Sequence, residues 1–183
     1  MNWYIADKRT DVRARLLADR HYSRQSIGYR EFCAPGNNIV LIVPSADMSA
    51  AAAVWVSQRP DPKANLEKPR ADGFDYWNNG LFRNESGIRS SDLILEAIAI
   101  TKYFWGDTAL PKHGFHSFVD ETKVNGVKVR GETVHGYCFM KAGFRLSPMR
   151  TKERNLLRWI FSRRQIEGLP AAAPMYEQLR LFA

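Results

Sequence analysis

The 183-residue chain is 45% hydrophobic and carries a formal net charge of +8, enough to bury one sizeable core but not two independent ones. Its only cysteines, Cys33 and Cys138, exclude a disulfide framework or a paired-cysteine metal clip. No apolar run approaches the roughly 20 residues of a membrane span, and Met1 to Ile5 is followed by charge rather than a secretory apolar stretch, so a soluble, cytoplasmic protein is expected.

In chain order, Asp11 before Val12, Leu16 and Leu17 predicts a capped helix over 11–19, delivering His21-Tyr22-Ser23-Arg24 into a loop. The β-branched run Ile39–Val43, a turn at Pro44–Asp47 and the run Ala52–Val56 predict an antiparallel pair of central strands. From Gln58 to Gly73 the proline-rich sequence reads as an exposed loop. Trp77–Asn84 reads as a strand, and Leu93–Phe104 as a buried helix with Ser90 or Ser91 as its N-cap.

Phe115–Val119 is a short strand ended by Asp120, and Thr122–Glu132 a polar loop. Gly136–Phe144 reads as a short helix closed by Gly143, Leu156–Phe161 as a last strand, and 168–183 as a tail ending in one helical turn over Tyr176–Phe182. This succession predicts a single α/β sandwich domain over 1–183. Trp55, Trp77 and the Ile94, Ala97, Ile98, Thr101 face are expected in its core.

The charge is uneven. Lys141, Arg145, Arg150, Lys152, Arg154, Arg158, Arg163 and Arg164 stand against Glu153 alone, so 141–164 carries +7. A one-signed stripe attracts polyanions, which makes DNA the leading partner, with Arg24 and the first six of these cations as its contacts; the alternative is a solvated basic face. Oligomeric state, homodimer included, stays open.

Three segments occur in a suggestive order: His21-Tyr22-Ser23; Leu81-Phe82-Arg83-Asn84-Glu85 running to Ser90-Ser91-Asp92-Leu93-Ile94; and Phe118-Val119-Asp120 followed by Gly136-Tyr137-Cys138-Phe139-Met140-Lys141-Ala142-Gly143-Phe144. Together, over residues 20 to about 160, they resemble the phage Mom-like branch of the GNAT acyltransferase superfamily. The resemblance implies a mixed, mostly antiparallel central sheet flanked by helices. It also implies a phage-encoded anti-restriction enzyme that converts the N6 amino group of DNA adenine to a carbamoylmethyl form, with iron and an acyl-CoA-like donor as its cofactors.

By that resemblance, the loop Gly87-Ile88-Arg89-Ser90-Ser91 would hold the anionic donor, since free amides and the helix dipole converge at a helix start. His21, Tyr22, Arg83, Asn84, Glu85, Asp120 and Tyr137 are the expected catalytic set. His21 and Tyr22 would receive an extruded base, Asn84 could read an adenine edge, Glu85 take a proton, and His21 with a carboxylate such as Asp120 or Glu85 ligate iron. An ion pair with turn capping is the alternative for Arg83, Asn84 and Glu85, and a satisfied surface histidine that for His21.

The chain departs from the usual GNAT pattern twice. Asn84 and Arg89 occupy the outer positions of the phosphate loop, and Phe139 stands where GNAT enzymes carry the tyrosine that protonates a departing thiolate. Tyr137 lies two positions away, a rotation of about 200° on a helix. Ordinary acetyl transfer to a protein or small amine is therefore the less attractive alternative, beside a non-catalytic DNA-binding module.

Overall fold

A computed structural model describes residues 1–59, 75–106 and 110–176. The strands are β1 (Tyr4–Ala6), β2 (Asn37–Pro44), β3 (Ala51–Arg59), β4 (Trp77–Asn84), β5 (Phe115–Val119), β6 (Val127–Val129), β7 (Glu132–Val134), β8 (Arg145–Leu146) and β9 (Leu157–Phe161). The helices are α1 (Val12–Ala18), α2 (Ser90–Trp105), α3 (Tyr137–Lys141) and α4 (Arg163–Gly168). Seven strands form one sheet in the order β1-β2-β3-β4-β5-β9-β8, and β6 and β7 form a separate hairpin. The large sheet is antiparallel except between β4 and β5, so the fold is mixed α/β.

Period-two alternation splits each central strand between two cores. Ile39, Leu41, Val43 and Trp55 pack with α2 and Phe139 of α3, while Val40, Ile42, Val54 and Val56 pack with Ala14, Leu17 and Ala18 of α1. The sheet is thus covered on both faces, which explains why β2 and β3 read as near-continuous apolar runs. Trp55, Trp77, Ile94, Ala97, Ile98 and Thr101 are all buried, as expected.

Local chemistry fixes the helix ends. The Asp11 carboxylate accepts the N–H groups of Arg13 and Ala14 and caps α1. At the end of α3, Gly143 at φ 94° lets its own N–H reach Met140 O and that of Phe144 reach Phe139 O, each at 3.0 Å. The Phe139 and Phe144 rings, 5.3 Å apart, complete this Schellman closure.

Several expectations differ from the structure. α2 is capped at Arg89, without a side-chain bond, rather than at Ser90 or Ser91, because the Ser90 hydroxyl accepts from Asn84 instead. The expected 122–132 loop contains β6 and the first residue of β7, a hairpin whose valines were masked by interleaved charge. Short β1 and β8 and the capping-box helix α4 were not anticipated. The expected loop beyond Arg59 and the helical turn beyond Tyr176 lie outside the described residues.

Candidate functional site

The parallel pairing of β4 with β5 covers only Trp77 with Phe115, Asn78 with His116 and Asn79 with Ser117. Beyond that point the two strands part company. Gly80 follows immediately and sits in a bulge against β3, where the register slips between Val56 and Ser57; a bulge bends its strand and strengthens the local twist. The opening between the strand ends is a cleft of about 880 Å³, within the size range of ligand sites. Asn79 and Ser117 lie at its apex, the Ser117 hydroxyl donating to Asn79 Oδ1 at 3.4 Å.

The loop after α1 bridges the two splayed strands. On the β4 side, Arg83 Nη1 donates to Arg20 O at 2.6 Å, and the Glu85 carboxylate lies between Arg83 Nε at 2.5 Å and Arg20 Nη2 at 2.9 Å. On the β5 side, the Asp120 N–H donates to the Tyr22 hydroxyl at 3.4 Å. The same loop is anchored beneath by Arg24, which pairs with Asp19 and donates to Tyr29 O and Glu31 O.

His21 therefore sits on the cleft wall between these two attachments, 4.3 Å from the Tyr22 ring centroid. Burial, reinforced by the Arg83 cation, lowers its pKa to about 4, so the imidazole is neutral at pH 7. Its Nδ1 accepts the Ser23 N–H at 3.2 Å and lies 2.8 Å from the Ser23 hydroxyl. A backbone amide can only donate, so the proton of the neutral ring is on Nε2. His21 is thus a hydrogen-bond donor rather than a base in waiting.

Asp120 complements it. One carboxylate oxygen, Oδ1, accepts from the Thr122 N–H at 2.9 Å and hydroxyl at 2.7 Å, and these bonds hold its pKa below the ordinary carboxylate value. Burial raises that of the Tyr22 phenol, which stays protonated. The cleft mouth thus carries a neutral N–H donor, an aromatic ring and an ionised carboxylate.

The other expected site residues divide. Arg83, Asn84, Glu85 and Ser90 line the cleft with His21, Tyr22 and Asp120, but Asn84 is fully engaged. Its Oδ1 accepts the Ser86 N–H and hydroxyl, and its Nδ2 donates to Ile88 O and Ser90 Oγ. It shapes the 84–90 loop and has no amide group spare for an adenine edge. Glu85, held between two guanidinium groups, is a bridging anion rather than a base; ion pair and turn capping describe this trio.

Gly87 and Arg89 are exposed and Ile88 half-buried at the start of α2; of the expected donor loop Ser90 lines the cleft, whereas Gly87, Ile88, Arg89 and the buried Ser91 do not. Arg89 O receives the Asp92 and Leu93 amides, so the amides of Ser90 and Ser91 precede the helical ladder at the positive helix end. Tyr137 does not line the cleft; its neighbours Cys138 and Phe139 do. Burial raises the Cys138 thiol to about 11 and the Cys33 thiol, on the opposite wall, to about 12, so neither is a thiolate nucleophile.

The cationic set is corrected at two positions. Arg158, on β9, is 4% exposed with its guanidinium 5.6 Å from the Phe118 ring centroid, because β9 is an inner strand of the sheet. Arg24 is consumed by its loop. Arg154 lines the cleft, while Lys141, Arg145, Arg150 and Lys152 are exposed, Arg150 being paired with Glu121 at 2.7 Å. Among the described residues, no three His, Cys, Asp or Glu side chains converge as a metal site, so His21 and Asp120 acquire no third ligand there.

Lys123, Ser23 and Arg20 belong to the site but were not assigned to it from sequence. Gly80, a lone glycine inside a strand pattern, was the available signal for the bulge that opens the cleft. Among the described residues, no helix is long and apolar enough to cross a membrane. No protein-family model matches the chain, and no curated protein or solved structure is significantly similar to it.

Proposed function

We propose that the chain is a DNA-modifying transferase of the Mom-like, GNAT-like kind, whose cleft receives an adenine and directs an acyl-derived group onto its N6 amino group. The observation that carries this reading is the convergence of His21, Tyr22 and Asp120 at the mouth of the strand wedge, beside the exposed cations Lys123 and Arg154. Adenine N6 is paired inside a duplex, so its chemistry needs an extruded base or a single strand.

Each residue then has a distinct task. Tyr22, 40% exposed, offers a face on which a base stacks. Asp120 accepts a hydrogen bond from the exocyclic amine and takes its proton as N6 forms a bond. The Nε2–H of His21 stabilises negative charge developing on the donor. Arg83 and Glu85 fix the loop that carries His21, and Lys123 and Arg154 hold flanking phosphates. An acyl-CoA-like donor would supply the electrophilic carbon and leave as a thiolate that solvent protonates, with the helix start at Ser90 and the exposed Arg89 guanidinium as the groups that would hold its phosphates.

The test is mass spectrometry of nucleosides from DNA of cells expressing the wild type, His21→Ala or Asp120→Ala. A mass-shifted deoxyadenosine present only with the wild type is expected. Unmodified nucleosides in DNA that the protein still binds would reduce it to a binding module.

A further inference from the structure

The β6–β7 hairpin forms a sheet of its own, separate from the seven-stranded one. Its root is clamped at the cleft. Lys123, Val124 and Asn125 line the cavity, His135 Nδ1 lies 3.0 Å from Val124 O across the base of the hairpin, and Trp159 Nε1 donates to His135 O from β9 at 3.1 Å. From that root, three-residue strands reach about 10 Å outward. Val129 pairs with Glu132, so Arg130 and Gly131 alone make the turn, at φ 49° and 88°.

Two positive φ values define a type I′ turn, for which Asn-Gly is the favoured pair. Arg130 is a poor residue for the first position, since a side chain at φ 49° crowds its own backbone. A residue placed against local preference points to a use for its side chain. Lys128, Arg130 and Lys123 are all exposed, and among the described residues none of them forms an ion pair. Arg150 and Arg163, in contrast, each pair with a carboxylate of the chain, and Arg20 and Arg83 share Glu85.

We propose that this hairpin is a second DNA-contacting element, a basic β-ribbon whose Lys128 and Arg130 enter the major groove beside the base held in the cleft. The inference rests on the cleft being a nucleic-acid site. The major groove admits a two-stranded ribbon, and the adenine N6 edge lies in that same groove. A ribbon rooted at the cleft rim therefore approaches duplex DNA from the groove in which the target amine lies before the base is extruded, and its cations meet the groove-lining phosphates.

The test is fluorescence anisotropy titration of a labelled duplex and of the matching single strand, at several salt concentrations, with the wild type, Arg130→Asn and Lys128→Ala/Arg130→Asn. Arg130→Asn creates the favoured Asn-Gly turn, so thermal stability holds or rises and a loss of binding cannot be ascribed to misfolding. The double variant is expected to bind duplex about tenfold more weakly, with a salt slope smaller by about two phosphates, and single strand almost as the wild type does. Wild-type duplex affinity and slope in the double variant overturn the ribbon while leaving the cleft reading intact, and equal losses on both strand forms overturn the groove assignment. Failure of the wild type to bind either DNA overturns both the cleft reading and the ribbon.

Discussion

Asp19 and Arg24 meet at 2.6 Å with only 9% of either side chain exposed, closing the loop that carries His21 and Tyr22 across the cleft. Asp19 also accepts the Gly28 N–H at 2.9 Å, so one carboxylate ties both halves of that loop to the end of α1. The Arg24 cation and these hydrogen bonds outweigh the effect of burial and hold the Asp19 pKa below the usual carboxylate value.

Removing one member of such a pair strands the other. Arg24→Leu is expected to cost about 3 kcal/mol in global stability and to abolish modification, because Tyr22 loses its support. Urea denaturation checks the first outcome and nucleoside analysis the second. Arg163→Ala, which breaks an exposed i,i+4 pair with Glu167, should cost no more than about 0.5 kcal/mol.

His21 gives stability a defined pH dependence. Its folded pKa, near 4, lies below the ordinary histidine value, so in acid the unfolded chain binds a proton that the folded chain refuses. The contribution is therefore complete above about pH 6.5 and is lost as pH falls from there toward 4, amounting to roughly 3 kcal/mol. Unfolding free energies measured across that window should slope in the wild type and flatten in His21→Gln; equal slopes in the two proteins count against a buried neutral imidazole.

The architecture was legible where periodicity was strong, and the site only in part. Trp77–Asn84 was bounded correctly from sequence because turn residues flank an aromatic-rich run. His21, Tyr22 and Asp120 were singled out, yet nothing local revealed that a backbone N–H joins residues 98 positions apart. Asn84 was misread because its four bonds are to its own loop, a pattern that composition does not encode. Arg158 was misassigned because a charge run says nothing of which strand is internal, and the β6–β7 hairpin was lost because its turn uses Arg-Gly rather than Asn-Gly.

The Tyr22 ring and hydroxyl are separable. Tyr22→Phe removes only the acceptor of the Asp120 N–H, a long contact at 3.4 Å, and should retain most substrate affinity. Tyr22→Ala removes the stacking face, and the expected loss is about 1–3 kcal/mol of single-strand binding. Anisotropy titrations of both variants distinguish the tasks; parity between Ala and wild type would remove Tyr22 from the base site.

Gly136 couples the hairpin, α3 and the cleft. It stands at φ 82°, where a Cβ would lie 2.7 Å from Trp159 Nε1 and 3.2 Å from Val119 Cγ2. Both neighbours are buried strand residues of β9 and β5, so neither yields without disturbing the sheet. An alanine there meets an unfavourable backbone conformation and displaces the indole from its bond to His135 O. Gly136→Ala is expected to lose about 2–4 kcal/mol, with a changed near-ultraviolet tryptophan signal. Gly87→Ala is the matched comparison: no heavy atom lies within 4 Å of its added Cβ and its φ is ordinary, so stability should hold. A Gly136→Ala protein as stable as Gly87→Ala would show that the β5 end and the hairpin root are not rigidly joined through Trp159.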